Sequence, residues 1–122
     1  MLKSLIFTTG EGLSDKKEYN ITLSDAYKYV LIYIKATEAI DFNGLGAIAV
    51  QFKTEKDLWY YAKDEEGIEI YGRILGAGDD LYIKAFPESK YIKIIITPIY
   101  TDVPFIFDIH VYEVLDEMAV SR

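Results

Sequence analysis

The single histidine, His110, stands two residues after Asp108 in the run Phe105-Ile106-Phe107-Asp108-Ile109-His110-Val111. In an extended strand, side chains two apart share a face. Asp108 and His110 are therefore the chain's foothold for acid–base chemistry. A nucleophilic site would add a serine beside such a pair, and no serine stands in a recognisable motif. The chain has no cysteine, which removes disulfides, thiolate metal ligands and cysteine nucleophiles together. The pair reads as a strand histidine with an acidic neighbour rather than as a catalytic constellation. A sandwich-fold hydrolase built on it is the enzymatic alternative.

Other chemistry-bearing groups fall at turns or within strands. The acidic clusters Asp64-Glu65-Glu66 and Asp79-Asp80 supply oxygens of the kind calcium takes, but without the alternate spacing of a calcium loop. They read as solvated turn charges. Gly44-Leu45-Gly46 and Gly76-Ala77-Gly78 continue into neither a lysine–serine/threonine pair nor a third glycine, so they read as turns, not phosphate cradles. Trp59, Tyr60, Tyr61, Tyr71 and Tyr82 suit a platform for sugars, and suit core and cross-strand packing equally well. Asn20-Ile21-Thr22 matches a glycosylation acceptor in a chain with no secretion signal. No cofactor and no metal-ligand set is expected.

Behind these residues lies a composition made for strands. The 122 residues are 51% hydrophobic and 15% aromatic, with eleven tyrosines. The length suits one domain, residues 1–122, with one core. Abundant Tyr, Ile and Val favour pleated strands over helices. A formal net charge of −7 repels phosphate backbones and anionic lipid, which argues against nucleic acid and membrane partners. The apolar run after Met1 is too short for a signal peptide, and no stretch approaches a membrane helix.

The expected elements follow from period-two alternation and turn residues. Leu2 to Thr8 is a first strand, followed by a polar loop through Lys17. Tyr19 to Leu23 alternates up to the Ser24-Asp25 turn. Tyr27 to Ala36 is apolar on both parities, with Val30, Ile32 and Ile34 on one side and Tyr29, Leu31 and Tyr33 on the other. Such a strand sits centrally, covered on both faces or facing a partner subunit. Asn43 to Gly46 turns into Ala47 to Lys53, and Leu58 to Ala62 carries the lone Trp59. Ile68, Ile70 and Ile74 alternate around Gly72, then Leu81, Ile83 and Ala85 resume the pattern. Tyr91 to Tyr100 carries Ile92, Ile94 and Ile96, with Pro98 pointing to an edge or bulge. Thr101 to Pro104 leads into Phe105 to Val114, and a polar tail closes the chain. Eight or nine short antiparallel strands predict an all-β sandwich of jelly-roll type.

Two stretches carry a resemblance. Tyr19-Asn20-Ile21-Thr22-Leu23-Ser24-Asp25, followed by Tyr27-Lys28-Tyr29-Val30-Leu31-Ile32-Tyr33, resembles the opening of small jelly-roll domains in bacteriophage virion proteins. Tyr91-Ile92-Lys93-Ile94-Ile95 resembles one of their closing strands. The resemblance implies a head-decoration, tail or fibre sandwich found in the virion, homotrimeric or bound to a capsid lattice, whose partners are other virion proteins and further copies of itself. The chain departs from receptor-binding tips in lacking a shaft, collagen-like or coiled-coil segment. That favours a non-enzymatic capsid decoration or minor capsid protein, with Tyr29, Leu31, Tyr33, Phe105, Ile106 and Phe107 as candidate assembly contacts. A carbohydrate-binding module or a receptor-binding tail domain is the alternative.

Overall fold

The computed structural model describes residues 2–38, 44–99 and 103–115. No helix occurs among them, and so none is long and apolar enough to cross a membrane. Among the described residues nine strands follow in order: β1 (Leu2–Leu13), β2 (Lys17–Thr22), β3 (Tyr27–Ala36), β4 (Gly46–Lys53), β5 (Trp59–Tyr61), β6 (Arg73–Leu75), β7 (Asp80–Ala85), β8 (Tyr91–Pro98) and β9 (Phe105–Leu115). One sheet has the order β1-β9-β3-β7, and the other β2-β8-β4-β5 with β6 also on β4. Every pairing is antiparallel.

The pairing is nested. β1 lies on β9, β2 on β8 and β3 on β7, while β4 meets the short β5 and β6 at its two ends. Successive nested pairs alternate between the sheets, as they do when a long two-stranded ribbon is rolled up. The contacts β9–β3 and β8–β4 then close each sheet. This is a jelly roll.

Alternation along each strand produces the core. Val30, Ile32 and Ile34 of β3 and Phe105, Phe107, Ile109 and Val111 of β9 face Ile48 and Val50 of β4 and Ile92, Ile94 and Ile96 of β8, all buried. Each such side chain removed from water stabilises the fold by roughly 1.5–3 kcal/mol before entropy is counted. Gly46 packs directly on the Phe105 ring, where a Cβ would lie 2.4 Å from a ring carbon. The Gly44-Leu45-Gly46 glycines are thus required by close approach as well as by the turn.

Several boundaries differ from expectation, each for a local reason. β1 continues to Leu13 because bulges between Ser4 and Ile6 and between Thr8 and Glu11 absorb its irregular stretch. Gly10 takes a positive φ of 66° there, a conformation that reads as loop in the sequence. Ile68, Ile70 and Ile74 do not share one strand. Ile70 is buried while Ile68 and Ile74 are exposed; Arg73–Leu75 forms a ladder with β4, whereas the Ile70 carbonyl accepts a single bond from the Val50 N–H at 3.1 Å. Pro98 ends a strand that is central elsewhere, yet β2 stops at Lys17 opposite Ile96, so only the β4 side is paired at Pro98. The expected turn residue Asn43, the stretch Tyr100 to Asp102 and the tail from residue 116 lie outside the described residues.

Candidate docking surface

The outward side of the β1-β9-β3-β7 sheet is built from the positions that alternate with the core. Register places Tyr82, Tyr33 and His110 in one row across β7, β3 and β9, and Lys84, Leu31 and Tyr112 in the next. Lys35 stands between Asp80 and Asp108 in a third row, and Tyr29 lies opposite Val114. The rings touch along and across the strands. Tyr33 is 6.5 Å from Tyr82 and 6.1 Å from His110 between ring centroids, and His110 stacks on Tyr112 at 6.4 Å. Tyr29 lies 5.5 Å from Phe86, with the Lys84 ammonium 4.5 Å above its ring. Tyr29, Leu31 and Tyr33 are half-buried by these neighbours, whereas Tyr82 is 64% exposed.

An antiparallel sheet with one solvated face normally alternates apolar inside with polar outside. Here the outside row is aromatic and aliphatic as well. The expectation that Tyr29, Leu31 and Tyr33 share a face opposite Val30, Ile32 and Ile34 holds. The Phe105-Ile106-Phe107 part of the candidate contact set needs correction. β9 lies between β1 and β3, so it is no edge, and Phe105 and Phe107 stack at 5.0 Å inside the core with no exposed surface. Only Ile106 points outward, half-buried opposite Gly12.

Asp108 and His110 do share a face, and each has a structural use. The Gly10 backbone N–H donates to Asp108 Oδ1 at 2.7 Å, which fastens the β1 bulge to β9. The His110 ring is flanked by Tyr33 and Tyr112, with Nδ1 3.5 Å from the Tyr112 hydroxyl. The acidic turns are likewise occupied. Asp64 Oδ1 accepts the Glu66 and Ile68 backbone N–H groups at 2.9 and 3.0 Å, and its other oxygen meets the Arg73 guanidinium at 3.0 Å. These donors hold its carboxyl below the usual range, the Ile68 amide most of all. Asp79 Oδ2 accepts the Gly76 N–H at 3.1 Å. Among the described residues no group of three or more His, Asp or Glu side chains is placed to hold a metal ion.

Sequence reading missed Glu113, the one charged side chain among the described residues that is fully buried. It lies on the core parity of β9, the signal that would have found it. Its Oε2 accepts the Ser24 backbone N–H, while Oε1 and the Ser24 hydroxyl meet no protein partner.

The comparisons with known proteins add little. No family model matches the chain, and no curated protein matches it. Among solved structures, the crystal structure of Yersinia pseudotuberculosis-derived mitogen (YPM) is similar at 12% identity, covering 95% of this chain and 87% of that one, with a TM-score of 0.43.

The outward side of the other sheet has a different make-up. Glu18, Asn20 and Thr22 of β2, Lys93 and Thr97 of β8, and Gln51 and Lys53 of β4 alternate with the core there. Lys93 Nζ sits 3.3 Å from the Glu18 carboxylate and 4.1 Å above the Trp59 ring. Hydrogen bonds from Lys93 and Lys16 hold the Glu18 carboxyl below its ordinary value. Ala47 and Ala49 of β4 and Tyr91 and Ile95 of β8 share this side, so the face mixes charge contacts with apolar positions, and aromatic residues gather at its β5 edge.

Proposed function

We propose that this domain is a non-enzymatic structural protein of the virion, a capsid decoration or minor capsid subunit that works by docking. The observation that carries the reading is the aromatic outer face of the β1-β9-β3-β7 sheet, centred on Tyr33 and Tyr82. Contiguous exposed aromatic surface on a soluble fold marks an interaction site more often than it marks ordinary surface. Aromatic residues are also the side chains that dominate binding energy at interface centres.

Magnitude narrows the kind of docking. Four strands about 4.8 Å apart, presenting three outward rows, give a patch on the order of 400 Å². A standard interface takes roughly 800 Å² per partner. One face alone therefore supports a weak contact. Weak contacts become stable when repeated on a lattice or within a homo-oligomer such as a trimer, and both arrangements suit a decoration protein. The net charge of −7 keeps such a subunit away from packaged nucleic acid. The reading places partners among other virion proteins and copies of the same chain.

The test combines native mass measurement of the purified chain with co-sedimentation on particles of the virus that encodes it. The expected result is saturable particle binding. The double variant Tyr33→Glu with Tyr82→Glu should weaken it on the order of 100-fold, as expected for charges placed at an interface centre. A chain that stays monomeric and binds no particle component would remove this reading.

A further inference from the structure

On the side wall of the sandwich, away from the docking face, the edge strand β5 consists of three successive aromatics, Trp59, Tyr60 and Tyr61. Register puts Tyr60 opposite Phe52, on the core side of the edge, and turns Trp59 and Tyr61 to the outer side. The strand is thus wrapped by rings on both sides. Beyond it the chain crosses towards the other sheet, where Lys63 bridges to Glu69 and to Phe86. The crossing leaves two adjoining clefts of about 500 and 590 Å³ that share Phe52, Tyr61, Lys63 and Glu88. Both volumes fall within the roughly 300–1,000 Å³ of sites that hold small ligands.

We infer that this groove is a binding site for a neutral oligosaccharide. Three features of its lining point to that chemistry. Tyr60 is 52% exposed within it, and its Tyr61 ring is met 4.8 Å away by the ring of Tyr71, which is 65% exposed. These rings offer electron-rich faces to the slightly positive C–H groups on a pyranose. Glu69 and Glu88 line the groove with acceptor-only carboxylates, and Lys28 and Lys63 with donor-only ammoniums. Sugar hydroxyls both donate and accept, so they satisfy both kinds of group. Finally, two carboxylates and the ammoniums of Lys28 and Lys63 leave the groove without net positive charge, and on a chain of net charge −7 this disfavours phosphorylated or uronic-acid sugars. The Lys93 ammonium 4.1 Å over Trp59 holds that ring in place before any ligand arrives, which lowers the ordering cost of binding.

The site is separable from the docking reading, because it contains neither Tyr33 nor Tyr82 and adjoins their face only at Phe86, whose ring touches Tyr29. Trp59 is the chain's only tryptophan, so its fluorescence reports on the groove directly. The experiment titrates the chain with neutral hexasaccharides of glucose, xylose, mannose and N-acetylglucosamine, followed by fluorescence and calorimetry. An oligogalacturonate and a basic proline-rich peptide serve as the charged and peptide comparators. The expected result is a saturable response to at least one neutral sugar. Tyr60→Ala and Glu88→Gln should each weaken it by about tenfold or more, Tyr60→Phe should retain it, and Tyr82→Ala should leave it unchanged. Circular dichroism checks that each variant stays folded, and Tyr60 is exposed enough for its loss to be tolerated. No saturable response to any neutral sugar, equal affinity in Tyr60→Ala, or tighter binding of the peptide would each overturn the inference.

Discussion

The two outer faces of this sandwich obey the same alternation rule and reach opposite surfaces. On the β2-β8-β4-β5 sheet, outward positions hold Glu18, Asn20, Thr22, Lys93 and Gln51, joined by charge contacts such as Glu18–Lys93, beside the apolar Ala47, Ala49 and Ile95. On the β1-β9-β3-β7 sheet they hold Tyr29, Leu31, Tyr33, Tyr82 and Tyr112, joined by ring contacts, with charged residues confined to Lys84 and the Asp80-Lys35-Asp108 row among the paired positions of β7, β3 and the facing part of β9. Folding needs only one apolar face per sheet. The second apolar face therefore contributes little that the core does not already supply, and its cost is exposure of aromatic surface. Covering that surface is what the proposed docking would do. The difference between the faces teaches that alternation fixes the inner faces and leaves the outer ones free to differ, and the proposed docking rests on that difference.

The largest effect expected from breaking this arrangement lies at the seam between the sheets. At Ser24 the chain leaves β2 in one sheet for β3 in the other, and the Ser24 N–H donates to buried Glu113. Removing that acceptor with Glu113→Ala strands a buried amide and opens space, and the expected loss is about 1–3 kcal/mol of stability. Glu113→Gln keeps an acceptor oxygen and should stay close to the parent. Chemical denaturation of both variants measures the difference. Equal loss in both would show that the carboxylate's charge matters, not its bond to Ser24.

Much of this was legible in the residues themselves. Val30, Ile32 and Ile34 against Tyr29, Leu31 and Tyr33 announced a central strand with two apolar sides, and β3 is that strand. The alternation of Phe105, Phe107, Ile109 and Val111 also announced a buried row. Treating Phe105 and Phe107 as contacts failed because a sequence does not say which strands flank another, and β1 and β3 enclose β9. Gly10 concealed the true length of β1, since a bulge glycine and a loop glycine look alike in sequence. The groove beside β5 depends on Lys63 reaching Phe86, a closure across 23 positions of chain that local patterning does not encode. Tyr60 and Tyr61 suit sugar stacking by residue type, but only the closure sets them in a groove.

A smaller effect separates the two faces by mechanism. Lys93→Ala removes the ammonium from Trp59, a contact worth about 0.5–1 kcal/mol at exposed sites, and also from Glu18. Tyr33→Ala removes ring contacts to Tyr82 and His110, worth about 0.5–1.5 kcal/mol per aromatic pair. The distinguishing measurement is thermal unfolding at low and high salt. The Lys93 loss should shrink at high salt because exposed charges are screened, while the Tyr33 loss should persist. If both losses fell equally with salt, the contrast between a charged face and an aromatic one would be wrong.

The smallest effect belongs to neither face, and it isolates stability from docking. Asp64 sits in the crossing between sheets, where the Ile68 and Glu66 amides and the Arg73 guanidinium favour its ionised form. Its pKa is therefore lower in the folded chain than in the unfolded one, where a carboxyl of this type titrates near about 3.9. Stability linked to that shift is fully present above the unfolded value and disappears as pH falls through the folded value. Asp64→Asn keeps an oxygen for the two amides and removes only the charge facing Arg73. The variant should be less stable than the parent at pH 7, and the gap should close on acidification below about pH 4. Particle binding should be the same for both at pH 7, because Tyr33 and Tyr82 are untouched. Unfolding curves across pH 2–7 check the first expectation and co-sedimentation the second. A gap that widened in acid would mean that the ionised carboxylate destabilises the crossing, reversing the role assigned to Arg73.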